Sequence, residues 1–146
     1  MSDVDSGRIW LDDDVIRYRS ATYGNWDLPL RNLRIVGENT NEDGPFADDW
    51  FLCFVSGPDE WAAASFYAEP KFDIVRQLGQ RLGSKLIPDL AGFATFASRI
   101  LWPDELAGQP LFEFIPQHRR WPLSLLGPKS VSQRFTPHVL DFLNRP

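Results

Sequence analysis

Between Gly37 and Asp49 the chain sets Glu38, Glu42, Asp43, Asp48 and Asp49 into one short run punctuated by Gly44 and Pro45. Like charges repel at this spacing, so only water, a metal ion or a basic partner tolerates such density. Asn39, Asn41 and Asp43 followed by Gly44 echo the opening of a calcium loop. That chemistry needs a bidentate acid at the twelfth position, where this chain has Trp50. Glu38, Asp43, Asp48 and Asp49 therefore stand as irregular metal-ligand candidates, and Glu38 with Asp49 as an acid/base pair for hydrolysis. The competing reading is a solvated loop whose turn is made by Asp43-Gly44-Pro45.

Other reactive groups are few. Cys53 is the one cysteine, and it lies between Leu52 and Phe54 in the most apolar run. A buried thiol is the ordinary outcome there, whereas a nucleophile needs an accessible, electropositive niche. His118 and His138 are not spaced as metal ligands, and no nucleophile elbow, P-loop or dinucleotide fingerprint occurs. Arg119 and Arg120 beside Trp121 form a small basic patch, a candidate partner-binding site for an anion or for the acidic loop.

The elements that must position these groups read mostly as strands. Arg8 to Asp12 and Val15 to Arg19 flank an Asp12-Asp13-Asp14 turn, and in the second Ile16 and Tyr18 share a face opposite Arg17 and Arg19. Trp26 to Leu30 and Leu33 to Val36 read as a third strand bent at Pro29, because proline does not serve a central ladder. Trp50 to Val55, apolar on both faces, reads as a central fourth strand. After the Ser56 to Glu60 turn, Trp61 to Tyr67 is a fifth strand or a short helix. Phe72, Val75, Leu78, Leu82 and Leu86 then recur at helical spacing, which predicts an amphipathic helix over Lys71 to Leu86 with Gly83 as a candidate terminus. Leu90 to Leu101 reads as a second helix capped by Asp89 and stopped at Trp102-Pro103.

The order of elements, RIWL, VIRYR, DLPLRNLRIVGE, DDWFLCFV, WAAASFYA and then FDIVRQLGQRLG, resembles the bacterial pleckstrin-homology-like (PH-like) domains. The resemblance covers Arg8 to Leu86. It implies an α+β fold, a twisted antiparallel sheet or partly open PH-like barrel with a packed helix, and a binding scaffold. The basic cluster of the phosphoinositide-binding members is absent, with only Arg17 and Arg19 in the first hairpin.

Composition bounds the function. The chain has 146 residues, with 43% hydrophobic, 14% aromatic and a formal charge of −5, so one domain with a real core is expected. Residues 1–70 hold 14 acids against 5 bases and residues 71–146 hold 6 against 10. That balance argues against nucleic acid and against anionic lipid, both of which need a basic face. No secretory signal is expected from the acidic opening MSDVDSG, and no apolar run approaches the ~18 residues of a membrane span. A cytoplasmic setting without a cofactor is the expectation.

Seven of the twelve prolines fall at or after Pro103. Residues 1–102 are thus expected to form the PH-like body. Residues 103–146 are expected to be an extended Pro-rich C-terminal tail packed on it, held by Phe112, Phe114 and Trp121, with one edge strand at Leu111 to Ile115 and a helical turn or two within Phe135 to Asn144. A body that already buries its own face would send those anchors to a second subunit, so a homodimer is the variant. The residues favour a non-catalytic protein-binding or adaptor module. The alternative is a small metal-dependent hydrolase built on the acidic loop from Glu38 to Asp49.

Overall fold

The computed structural model describes residues 4–41, 48–70, 73–88, 90, 97–118 and 128–145. The first three strands, β1 (Arg8–Asp12), β2 (Val15–Ser20) and β3 (Gly24–Pro29), form an antiparallel meander in the order β1-β2-β3. Alternation sets its faces: Ile9, Ile16 and Tyr18 turn to the core, while Arg17, Asp27 and Arg19 pair on the outside at 2.8–2.9 Å.

The expected third strand divides in two. Pro29 ends β3 at a sheet edge, a 3-10 turn covers Leu30–Asn32, and β4 (Ile35–Thr40) opens a second sheet. That sheet holds β5 (Trp50–Gly57), β6 (Glu60–Ser65) and β7 (Ala97–Trp102) in the order β6-β5-β4-β7, every pair antiparallel. Strand β4 is buried along its whole length between β5 and β7. The sheets do not close into a barrel among the described residues. The class is α+β.

Ala97 to Leu101 therefore pairs as strand β7, which corrects the second helix expected over Leu90 to Leu101. The physical reason is the neighbour. Ile100 and Leu101 point to opposite sides of the sheet and are buried in separate cores, which suits a strand covered on both faces. The rest of that segment, apart from Leu90, lies outside the described residues.

Helix α1 (Asp73–Leu82) matches the amphipathic expectation but is shorter, and Lys71 and Phe72 lie outside the described residues. Ile74, Val75 and Leu78 are buried and Arg76 and Gln80 exposed, with Leu82 only partly covered. Gly83 terminates it at φ +68°, the left-handed conformation that glycine adopts without a Cβ penalty. Gly79 answers a different need: a Cβ there would lie 2.7 Å from the Ser84 carbonyl oxygen, which folds back over the last turn.

The C-terminal segment is more regular than expected. Strands β8 (Phe112–His118) and β9 (Pro128–Phe135) form an antiparallel hairpin, and α2 (Pro137–Leu143) follows, capped by Thr136. Leu111, Phe112, Phe135, Val139 and Leu143 cover the face of the second sheet that carries Ile35, Cys53, Val55 and Ile100. Main-chain groups fix the seat: Ser98 Oγ accepts from the Leu111 and Phe112 amides at 3.1 and 3.0 Å. The Arg34 guanidinium donates to the Phe142 carbonyl at 3.0 Å, a cation at the negative end of α2. Phe112 is an anchor as expected and Phe114 packs beside it, 6.4 Å between ring centres; Trp121 lies outside the described residues. The four-stranded sheet is thus covered on one face by β1–β3 and α1, and on the other by the tail.

Candidate functional site

The described carboxylates of the acidic run, Glu38, Asp48 and Asp49, do not gather into a metal site. Glu38 is fully buried on β4, where it accepts from Trp50 Nε1 at 2.9 Å and from the Leu90 amide at 3.0 Å, with Arg99 3.9 Å away. Asp48 accepts hydroxyl bonds from Ser6 at 2.7 Å and Ser65 at 2.6 Å, and its amide donates to the Tyr23 hydroxyl. Asp49 accepts from the Tyr67 phenol at 2.7 Å. Burial, and then that bond to Asp49, push the Tyr67 phenol up to about 12. Asp43 lies outside the described residues. Among the described residues no group of three or more His, Cys, Asp and Glu stands together as a metal site.

Cys53 is buried, and its thiol donates to Asn39 Oδ1 at 2.8 Å. Burial pushes the thiol up, with the charge of Glu38 adding to it, so the thiolate a nucleophile requires is suppressed. His138 is exposed at the start of α2. Arg119, Arg120 and Trp121, the candidate basic patch, lie outside the described residues.

A different constellation stands at the far end of the β5–β6 hairpin. Trp61 is the second residue of β6 and is 41% exposed. Its ring leans on Phe112 at 5.1 Å and Phe135 at 6.5 Å, two rings stacked on each other at 5.4 Å across the β8–β9 hairpin. On one side of Trp61 lies a groove of about 480 Å³ over Phe112, Phe135 and Leu140, with the Glu113–Arg134 ion pair at its rim. On the other side a groove of about 440 Å³ runs between β3 and β6, floored by Trp26, Leu28, Pro29 and Phe54. Asp59 lines both, so the two grooves meet at one exposed indole and one carboxylate.

The charges around this strip are unequal in availability. Asp27 is held below the usual carboxylate range, chiefly by its hydrogen bond from Arg19. Among the described residues the Glu60 carboxylate has one partner, Ser56 Oγ, at 3.3 Å. Asp59 is exposed and makes no hydrogen bond or ion pair among the described residues. A concave apolar surface with a few polar groups at its rim is the kind of surface that binds a partner.

Sequence reasoning missed this strip. Its one signal is local: the tight turn Ser56-Gly57-Pro58-Asp59-Glu60 hands an acid pair directly to a tryptophan at the first positions of a strand. That the strand would be an edge, and that β8, β9 and α2 would build the second groove wall, required the fold. Compared with protein-family models, with curated proteins and with solved structures, the chain matches none.

Proposed function

We propose that this chain is a non-catalytic protein-binding or adaptor module that takes its partner at the Trp61 strip. One observation carries the reading: a tryptophan 41% exposed at the junction of two grooves, beside a carboxylate with no partner among the described residues. Exposed aromatic anchors in concave surroundings are where binding energy concentrates. A PH-like scaffold is part of the same proposal. It is supported by a three-stranded antiparallel meander, a second antiparallel sheet and an amphipathic helix on their shared core. No helix among the described residues is long and apolar enough to cross a membrane. A single buried, unpaired cysteine supports the cytoplasmic part of the reading.

The test is recovery of partners from the source cells with the wild-type chain and with Trp61→Ala, each first shown to be folded by near-ultraviolet circular dichroism. The proposal expects a protein retained by the wild type and lost with the variant. Identical recoveries from both would overturn it.

A further inference from the structure

The β5–β6 hairpin leaves one short stretch of main chain open, and it runs alongside the strip. The Arg34 amide donates to the Val55 carbonyl at 2.7 Å, so Val55 turns its main-chain groups toward β4. In an antiparallel ladder each residue's N–H and C=O face one neighbour, and a residue opposite one that is turned away faces outward. Trp61 lies opposite Val55, so its N–H and C=O point to the free edge of the sheet. Two groups farther along that edge are already taken. The Ala63 carbonyl accepts the Trp26 indole at 3.0 Å, and the Ser65 amide reaches the Tyr18 hydroxyl at 3.4 Å. The outer stretch, from Trp61 to the Ala63 amide, has no hydrogen bond among the described residues. Such an edge is a template for one more strand.

Charge selects what that strand carries. The groove between β3 and β6 is lined by Asp27, Asp59 and Glu60, with no lysine or arginine among its described lining residues. Arg17 and Arg19 already hold Asp27 from the outer face. Asp59 and Glu60 remain, beside an apolar floor. Resting on the reading of Trp61 as the partner face, we infer that the occupant is an extended segment of another protein. It adds to β6 at Trp61, seats apolar side chains against the indole and the groove floor, and reaches Asp59 with an arginine or lysine. Successive side chains of a strand point to opposite sides, so one short segment meets both grooves at once.

Two pooled libraries of short synthetic peptides test this with the full chain. They are identical except that alternate positions hold arginine in one and glutamate in the other. The arginine pool should yield binders and the glutamate pool none. For an enriched peptide, N-methylation of the amides along one edge should abolish binding, because that edge must pair with β6. Trp61→Ala should weaken binding by roughly thirtyfold or more, the scale of an interface anchor. Asp59→Asn should weaken it by up to about fivefold, an effect that vanishes at high salt. Asp59 sits exposed on a turn, so that variant keeps the test decisive should Trp61→Ala fail to fold. Equal enrichment from both pools, or no enrichment from either, would overturn the inference. So would sedimentation showing a dimer that depends on Trp61, since a second copy would then be the occupant. If the N-methylated peptide binds fully while Trp61→Ala still abolishes binding, strand addition falls and the Trp61 strip stands. If Trp61→Ala leaves both peptide binding and partner recovery untouched, both readings fall.

Discussion

Trp50 and Trp61 stand at opposite ends of one hairpin and are treated in opposite ways. Trp50, at the open end, is 8% exposed, stacks on Phe66 at 3.8 Å and gives its indole N–H to Glu38. Around it the acidic residues are consumed internally: Asp48 by two serines and Asp49 by Tyr67. Trp61, at the turn end, is 41% exposed, and Asp59 beside it is bonded to nothing among the described residues. The lesson is that acid density in the sequence and acid availability in the fold are separate quantities. The described acids of the dense run, Glu38, Asp48 and Asp49, are spent on internal bonds, and the sparse pair at the turn is what faces outward.

The largest way to break the comparison is at Trp50. Trp50→Ala removes a stacked, buried ring and should cost about 3–5 kcal/mol in denaturant unfolding; a cost below about 1 kcal/mol would mean this end is no more committed than the other. Glu38→Ala comes next, orphaning the Trp50 indole and Leu90 amide at about 1–3 kcal/mol for each buried donor. Glu38→Gln, which keeps an acceptor, should recover most of that loss, and equal destabilisation by both variants would contradict the hydrogen-bond account. Trp61→Ala should cost only about 1 kcal/mol, because its ring is half in water. A loss as large as that of Trp50→Ala would make Trp61 a core residue rather than a contact.

The smallest expected effect is in the alkaline range and sharpens the Trp50 end. The Tyr67 phenol keeps its proton to about 12, against an ordinary value of 10. The unfolded chain loses that proton first, so Tyr67's contribution is complete below about 10 and disappears as pH rises toward 12. Water around this 38% exposed ring keeps the effect on stability modest. Burial also raises the Tyr18 phenol, so ultraviolet difference titration should show two tyrosines ionising late, and Tyr67→Phe should remove Tyr67's share of that late change. A late amplitude left unchanged by the substitution would assign it elsewhere.

Local patterns carried far into the first half of the fold. The period-two faces of β2, the apolar run of β5 and the stripe of α1 each follow from neighbours in sequence, with α1 shorter than its spacing indicates. What escaped depends on partners distant in the chain. Ala97 to Trp102 has helical spacing on its own but pairs with β4 some sixty residues earlier. Leu33 to Val36 belongs to the second sheet because Arg34 and Ile35 bond to Val55 and its neighbours. Glu38 looked like a loop acid, yet two buried donors, Trp50 Nε1 and the Leu90 amide, satisfy it inside the sheet. The candidate site was illegible for the same reason: its second wall is built from Phe112, Glu113, Arg134, Phe135, Pro137 and Leu140, brought to Trp61 only by tertiary packing.

The most direct measurement is residue-resolved amide hydrogen exchange of the intact chain, alone and with an arginine-bearing peptide enriched as described. The account predicts slowed exchange at the Trp61 and Ala63 amides, the open edge of β6. The Phe66 amide, already bonded to the Trp50 carbonyl at 2.9 Å, should be unchanged. Peptide binding that leaves Trp61 and Ala63 exchanging as in the free chain would contradict the claim that this edge is the partner face.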